Sequence, residues 1–224
     1  MSLLIFYRGD KCMRGLYPVR DPDQLEQEHD ILSRPKGLSF LPEYKIEAIV
    51  TKNGKVISKK SWKAKTWVYN FLRLLFGLFY ALMISDTVTT VTDTAGISRD
   101  VPGIASGTSS AGCVRAPEGN ANYGIAVGSG ASPSYDPSKY ALDSKIAESA
   151  MSPSECTAEF TAENQIRITR TFVNNSGGEL TVTEVALICD WNGFPIMIAY
   201  DVPSGGISVP AGASLTLRYI ISLS

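Results

Sequence analysis

The chain has 224 residues, 44% of them hydrophobic and 19% charged, with a net charge of −1. That describes a folded protein rather than a disordered one, long enough to bury a real core as one large domain or one domain with an appendage. The near-neutral total hides an asymmetry: residues 1–84 carry 14 Lys/Arg against 8 Asp/Glu, and residues 85–224 carry 7 against 14. A basic front end joined to an acidic body reads either as two parts facing different surroundings or as chance segregation on one surface.

The opening stretch MSLLIFYRGDKCMRG places its basic residues after a short apolar patch. A secretory signal has the reverse order and a longer apolar core, so the expectation is a chain made in the cytoplasm without an export tag. Residues 8–42 mix charge with Pro22, Pro35 and Pro42 and have little periodicity; they read as an extended arm. EYKIEAIVTKNGKVISKKSW then reads as a β-hairpin, because Ile46, Ala48 and Val50 alternate with polar residues. Asn53-Gly54 supplies the positive φ angles of a tight type I′ turn.

From Trp62 to Ile84 there is no proline, and the residues are mostly apolar. The reading is one long helix over residues 62–84. Lys63, Thr66, Asn70, Arg73, Gly77 and Ala81 would form a narrow polar or small stripe along it. A helix so apolar must be buried in protein, buried between copies or placed in lipid. Arg73 near its middle disfavours the membrane.

Downstream the composition turns to Thr, Ser, Gly and Val, with a strand at Thr87–Thr92 and a Gly/Ser loop after it. In YGIAVGSGASPS an apolar run empties into Gly128-Ser129-Gly130, the way many phosphate sites begin. A P-loop needs Gly-Lys-Ser or Gly-Lys-Thr, and a dinucleotide fingerprint needs a third glycine opening a helix. Here Pro133 and Pro137 follow instead, so the stretch reads as a strand ending in a turn. SKYALDSKIAES, residues 138–149, has the spacing of a short helix.

The last third is the clearest. NQIRITRTFVNNSGGELTVTEVALICDW reads as two strands around a Gly-rich turn, with Ile166, Ile168 and Phe172 on one side and a bulge near Glu184, where the alternation breaks. FPIMIAYDV and GASLTLRYIISLS are two more strands, the second with Leu215, Leu217, Tyr219, Ile221 and Leu223 in strict alternation. The fold expected is mainly β: an antiparallel β-sandwich, jelly-roll-like, with an N-terminal extended arm, a hairpin and one long apolar helix. The domains expected are 1–61 (arm and hairpin), 62–84 (helix) and 85–224 (sandwich).

Chemistry is sparse. His29 is the one histidine and lies in a charged stretch, so a Ser-His-Asp or Cys-His arrangement could use only it, and a His-based metal centre is excluded. Neither a G-x-S-x-G elbow nor a calcium-loop spacing is found. Asp93, Asp100, Asp136 and Asp143 sit singly, as turn-capping aspartates do. Cys12, Cys113, Cys156 and Cys189 have no C-x-x-C spacing, so buried thiols are the default, with one bridge such as Cys113–Cys156 left open. No catalytic, cofactor-binding or metal-binding residue is assigned. A carboxylate pair assembled by folding, as in a glycosidase, stays open. Lys52, Lys55, Lys59, Lys60, Lys63 and Lys65, with Trp62 and Trp67 among them, could neutralise nucleic-acid phosphates or simply protect a solvated hairpin edge. Asn174-Asn175-Ser176 matches a glycosylation sequon.

The order of features, from the N-G hairpin through TVTDTAGISRDV, NYGIAVGSGASPSYDPSKYALDSKI and RTFVNNSGGELTVTEVALI to VPAGASLTLRY, resembles small virion structural proteins of phages and archaeal viruses. Those proteins build tails, turrets or capsid decorations. The resemblance covers roughly residues 44–224 and carries no functional residue with it. It implies a virion location, a role in a particle whose copies pack by symmetry, and partners that are copies of itself and other virion proteins, with no enzymatic activity. The alternatives are a cell-surface adhesin or filament subunit and a β-sandwich carbohydrate-active enzyme.

Overall fold

In the computed structural model the described residues are 6–8, 11–13, 43–64, 67–71, 73–74, 88–102, 111–131, 133–162, 164–191 and 193–222. The chain divides into two compact units, Met1–Phe40 and Leu41–Ser224. In the first, β1 (Phe6–Arg8) pairs antiparallel with β2 (Lys11–Met13). His29 lies outside the described residues.

The second unit is mainly β, its sheets antiparallel and none closed into a barrel. Its hairpin forms as the sequence dictates. β3 (Glu43–Lys52) and β4 (Lys55–Lys63) are joined by Asn53 and Gly54 at φ of 51° and 73°, the left-handed pair that a type I′ turn requires. β3 then pairs along its length with β16 (Ser214–Ser222), which pairs with β11 (Gln165–Asn174). On β11's far side lie β9 (Met151–Pro153) and β10 (Thr157–Ala162). The resulting six-stranded sheet runs β10-β11-β16-β3-β4. One face carries Ile46, Ala48, Val50, Ile168, Phe172, Leu215, Leu217 and Tyr219, all buried.

A second sheet is centred on β13 (Glu184–Trp191), which pairs with β14 (Phe194–Asp201), β8 (Gly124–Gly128) and β7 (Ala111–Cys113). Ile125, Val127, Val185, Leu187 and Ala199 meet the inner face of the six-stranded sheet in one core cluster. The other face of β13 is covered too, since Ala186, Ile188, Met197 and Tyr200 pack with Val68. Leu74 joins Cys189, Trp191, Ile196 and Val91 of the hairpin β5 (Val88–Thr92) and β6 (Ser98–Pro102). With both faces buried, β13 reads as a continuous apolar run rather than an alternation. β12 (Leu180–Val182) pairs with β15 (Ile207–Val209). The break in period near Glu184 is therefore the place where the chain leaves one sheet for another.

The long apolar helix expected over 62–84 is absent from the described residues. Trp62 and Lys63 belong to β4, where Ile46 pairs with Trp62, and Trp67 bridges to Ala199. Only residues 69–71 and 73–74 are helical, and residues 75–87 lie outside the described set. Tertiary pairing overrides a pattern that is apolar in either conformation. The polar stripe dissolves as well: Asn70 is buried, bonding Thr92 and Met197, while Arg73 is exposed. Among the described residues no helix is long and apolar enough to cross a membrane. Residues 138–149 form turns instead of a helix, with Lys145 bridged to Gly128 and Ile146 N–H donating to Val127 O.

Candidate functional site

Buried charge is where chemistry would be sought, and Glu184 and Arg170 use theirs to hold backbone. Glu184 is fully buried at the head of β13. Its Oε1 accepts hydrogen bonds from Asp143 N–H and the Tyr200 hydroxyl, both at 2.9 Å. Its Oε2 accepts from the N–H groups of Gly130 and Ser144, both at 3.1 Å. Burial, then the bond to Glu184, raises the Tyr200 phenol above its ordinary pKa. A Cβ on Gly128 would stand 2.6 Å from Oε2, and one on Gly130 2.8 Å. Both glycines are there so that the carboxylate can come close. The loop that looks like a phosphate cradle does bind an anion, and the anion is the protein's own.

Arg170, 1% exposed, is the cationic counterpart. Its guanidinium donates to the carbonyls of Ser154 (3.0 Å), Tyr123 (2.9 Å), Ile125 (3.0 Å) and Asn120, and lies over the Phe172 ring. Burial pulls its pKa below the ordinary value. Its five fixed donors knot the irregular segment before β8 to β11. Asp93 accepts from Ala95 and Ile97 N–H and from Arg99, and Asp136 accepts from Ser138, the turn roles expected of them. Asp100 accepts from Thr90, and Asp143 pairs with Lys139.

The sequon is occupied by structure. Asn174 is 1% exposed, and its amide nitrogen donates to Gly178 O and Val209 O. A glycan could be attached only by unfolding this corner. Cys156 and Cys189 are buried thiols. Among the described residues no three His, Cys, Asp or Glu gather as a metal-binding group.

What remains is surface. Because a strand alternates, the lysine run divides between two faces. Lys60 points inward with Ala48 and donates to Gly206 O, while Lys59 and Lys63 stand on the outer face opposite Ile49 and Lys45. Trp62 is half-buried, and Trp67 is stacked on Phe71 with Tyr44 against its edge. Neither indole is presented as an open stacking platform for bases.

The two side edges of the six-stranded sheet are the distinctive feature. Beyond β4 no further strand pairs among the described residues, and the strand is largely exposed, with Val56 at 62% and Ile57 at 51%. Beyond β10 none pairs either, and every residue of β10 is exposed, Phe160 at 78%. The β4 edge carries Lys55, Lys59, Lys60 and Lys63 and no acid; the β10 edge carries Glu159 and no base. A hollow of about 300 Å³ lies at the end of β4, lined by Tyr44, Lys45, Ser61, Trp62 and Lys63. The sequence marked the lysines. It did not mark β10, although Thr and Phe in TAEFTA are strand formers. Comparison with family models, with curated proteins and with solved structures finds no match to the chain.

Proposed function

We propose that the chain is a virion structural subunit used in many copies, with a jelly-roll-like β-sandwich body and an arm, residues 1–42, that engages neighbours. The observation that carries this reading is the six-stranded sheet whose two side edges, unpaired among the described residues, bear opposite charge. Exposed edges are normally blunted or covered, because they template association. A subunit meant to associate keeps them.

Two further features support it. Inner-face residues of both large sheets share one core cluster, as the two layers of a sandwich do. The charges at the heart of that body, Glu184 and Arg170, fix loops rather than face a cleft, which suits a rigid building block.

The test is direct. Mass photometry of the purified full chain at rising concentration and low salt, with electron micrographs of what forms, should show multi-copy rings, shells or filaments. A monodisperse monomer throughout overturns the proposal, and measurable glycan hydrolysis would replace it with the enzyme alternative.

A further inference from the structure

The cross-strand register carries the reading further. One row crosses the outer face of the sheet as Glu159, Arg167, Ile220, Lys45 and Lys63. The next row runs Ala158, Ile168, Tyr219, Ile46 and Trp62. The third runs Thr157, Thr169, Arg218, Glu47 and Ser61. On the other side of Glu159, the row of Phe160, Ile166, Ile221 and Tyr44 ends where Ala64 N–H bonds Tyr44 O.

Five strands that alternate in direction leave β10 and β4 pointing the same way. A second copy translated along the sheet would therefore set its β10 parallel to β4, with the core faces of both sheets on the same side. Each row then ends on a fitting neighbour. Thr157 meets Ser61, two hydroxyls. Ala158, small, meets the bulk of Trp62. Glu159 meets Lys63. Phe160 arrives at the row of Tyr44, beside the hollow at the end of β4.

Charge decides among the possible pairings. Two β4 edges would oppose four lysines with four, and two β10 edges would bring together strands whose one charge is the same Glu159; like charges across paired strands destabilise. Lysines on an edge exclude most strands and admit an acidic one. We infer that this protein assembles head to tail by strand addition: β10 of one copy pairs in parallel with β4 of the next, Glu159 beside Lys63. Such a contact is heterologous, so it propagates into rings or filaments rather than stopping at a dimer.

This inference rests on the structural-subunit reading and can fail separately from it. Within one copy Glu159 and Lys63 are four strand spacings apart, about 19 Å at about 4.8 Å each. A zero-length amide cross-link between them can only join two copies. Carbodiimide treatment of the full chain, followed by peptide mass spectrometry, should yield the Lys63–Glu159 link. K59E/K63E and E159K should each raise the concentration needed for assembly about tenfold, since like-charge juxtaposition at a contact is strongly unfavourable. Mixing the two variants should restore it, because each then offers the other an oppositely charged edge.

Particles that form without that link and ignore the charge reversals would overturn the edge contact and leave the subunit reading standing. Cross-links that instead join residues 1–40 to β4 would assign the edge to the arm and overturn the inference in the same way. A chain that never assembles overturns both.

Discussion

The charged residues in the interior set the tolerance of this fold to substitution. Glu184 receives four donors, and a carboxylate is an acceptor at every lone pair. Glutamine keeps one carbonyl oxygen and turns an NH2 group toward donors, leaving about two of them unsatisfied at roughly 1–3 kcal/mol each. Glu184→Gln should therefore cost about 2–6 kcal/mol, read as a lower urea midpoint with an unchanged m-value. The amides of Gly130, Asp143 and Ser144 should exchange faster in the variant; equal protection would show that the carboxylate does not hold them. Tyr200 and Tyr219 make the second residue-scale prediction. Burial raises both phenol pKa values, with Glu184 adding to the effect on Tyr200 and Asp201 to that on Tyr219. A folded pKa above the unfolded value of about 10 gives stability that is fully present below pH 10. It is lost as pH rises further, because only the unfolded chain releases the proton there. Each such tyrosine steepens the alkaline loss by about 1.4 kcal/mol per pH unit. Tyr200→Phe should be less stable near neutrality through its missing bond to Glu184, and should lose stability less steeply above pH 10. An unchanged alkaline slope would sink the assignment.

Elements became legible where a strand has one wet face. Leu215, Leu217 and Tyr219 announce β16 by alternation, and Asn53-Gly54 announces the turn between β3 and β4. Gly54→Ala places a Cβ at φ of 73°, which should cost about 1 kcal/mol or somewhat more. No neighbour lies within 4 Å of that Cβ, so the cost is backbone strain alone, and a chemical denaturation midpoint that does not move would refute it. The apolar run from Trp62 misled because apolarity without alternation suits a buried helix and a buried strand equally. What decides it is Ile46 pairing with Trp62 and Ala199 bridging Trp67, a partner far away in sequence. The 138–149 segment misled for the same reason, since its helix-like spacing yields to the Glu184 carboxylate 40 residues downstream. The buried charges did leave a trace. Arg170 falls in phase with Ile166, Ile168 and Phe172, and Glu184 interrupts an apolar period. A charge on the core side of a strand is the signal that a polar clamp sits inside. The candidate site was half legible: local sequence gives the lysines of the β4 edge, but only the strand order makes an edge of TAEFTA.

At the scale of the whole molecule, the +6 and −7 halves take on geometry. The six-stranded sheet puts the β4 lysines and Glu159 of β10 at opposite edges, so under the proposed strand addition the asymmetry would become directional attraction between copies. Two kinds of contact would then meet at the proposed interface, and salt would separate them. A Lys63–Glu159 pair there would be exposed, and Glu159 is held by Arg167 in the free chain. Its contribution should fade as the screening length shrinks to ~8 Å at physiological ionic strength and ~3 Å at 1 M. Phe160, 78% exposed in the free chain, gains about 1.5–3 kcal/mol when its ring is covered, and ionic screening does not weaken that gain. Light scattering across a salt series should accordingly show wild-type association falling and then levelling. Glu159→Gln should begin near the levelled value and respond little to salt. Phe160→Ser should keep the salt response and associate about tenfold or more weakly throughout. Since Phe160 and Glu159 are adjacent on an exposed strand of the free chain, neither variant should unfold the body, and matching melting curves for the dilute proteins would confirm that. Association that strengthens with salt in all three proteins would mean an apolar interface elsewhere, and the opposed charges of the two edges would then have no part in holding copies together.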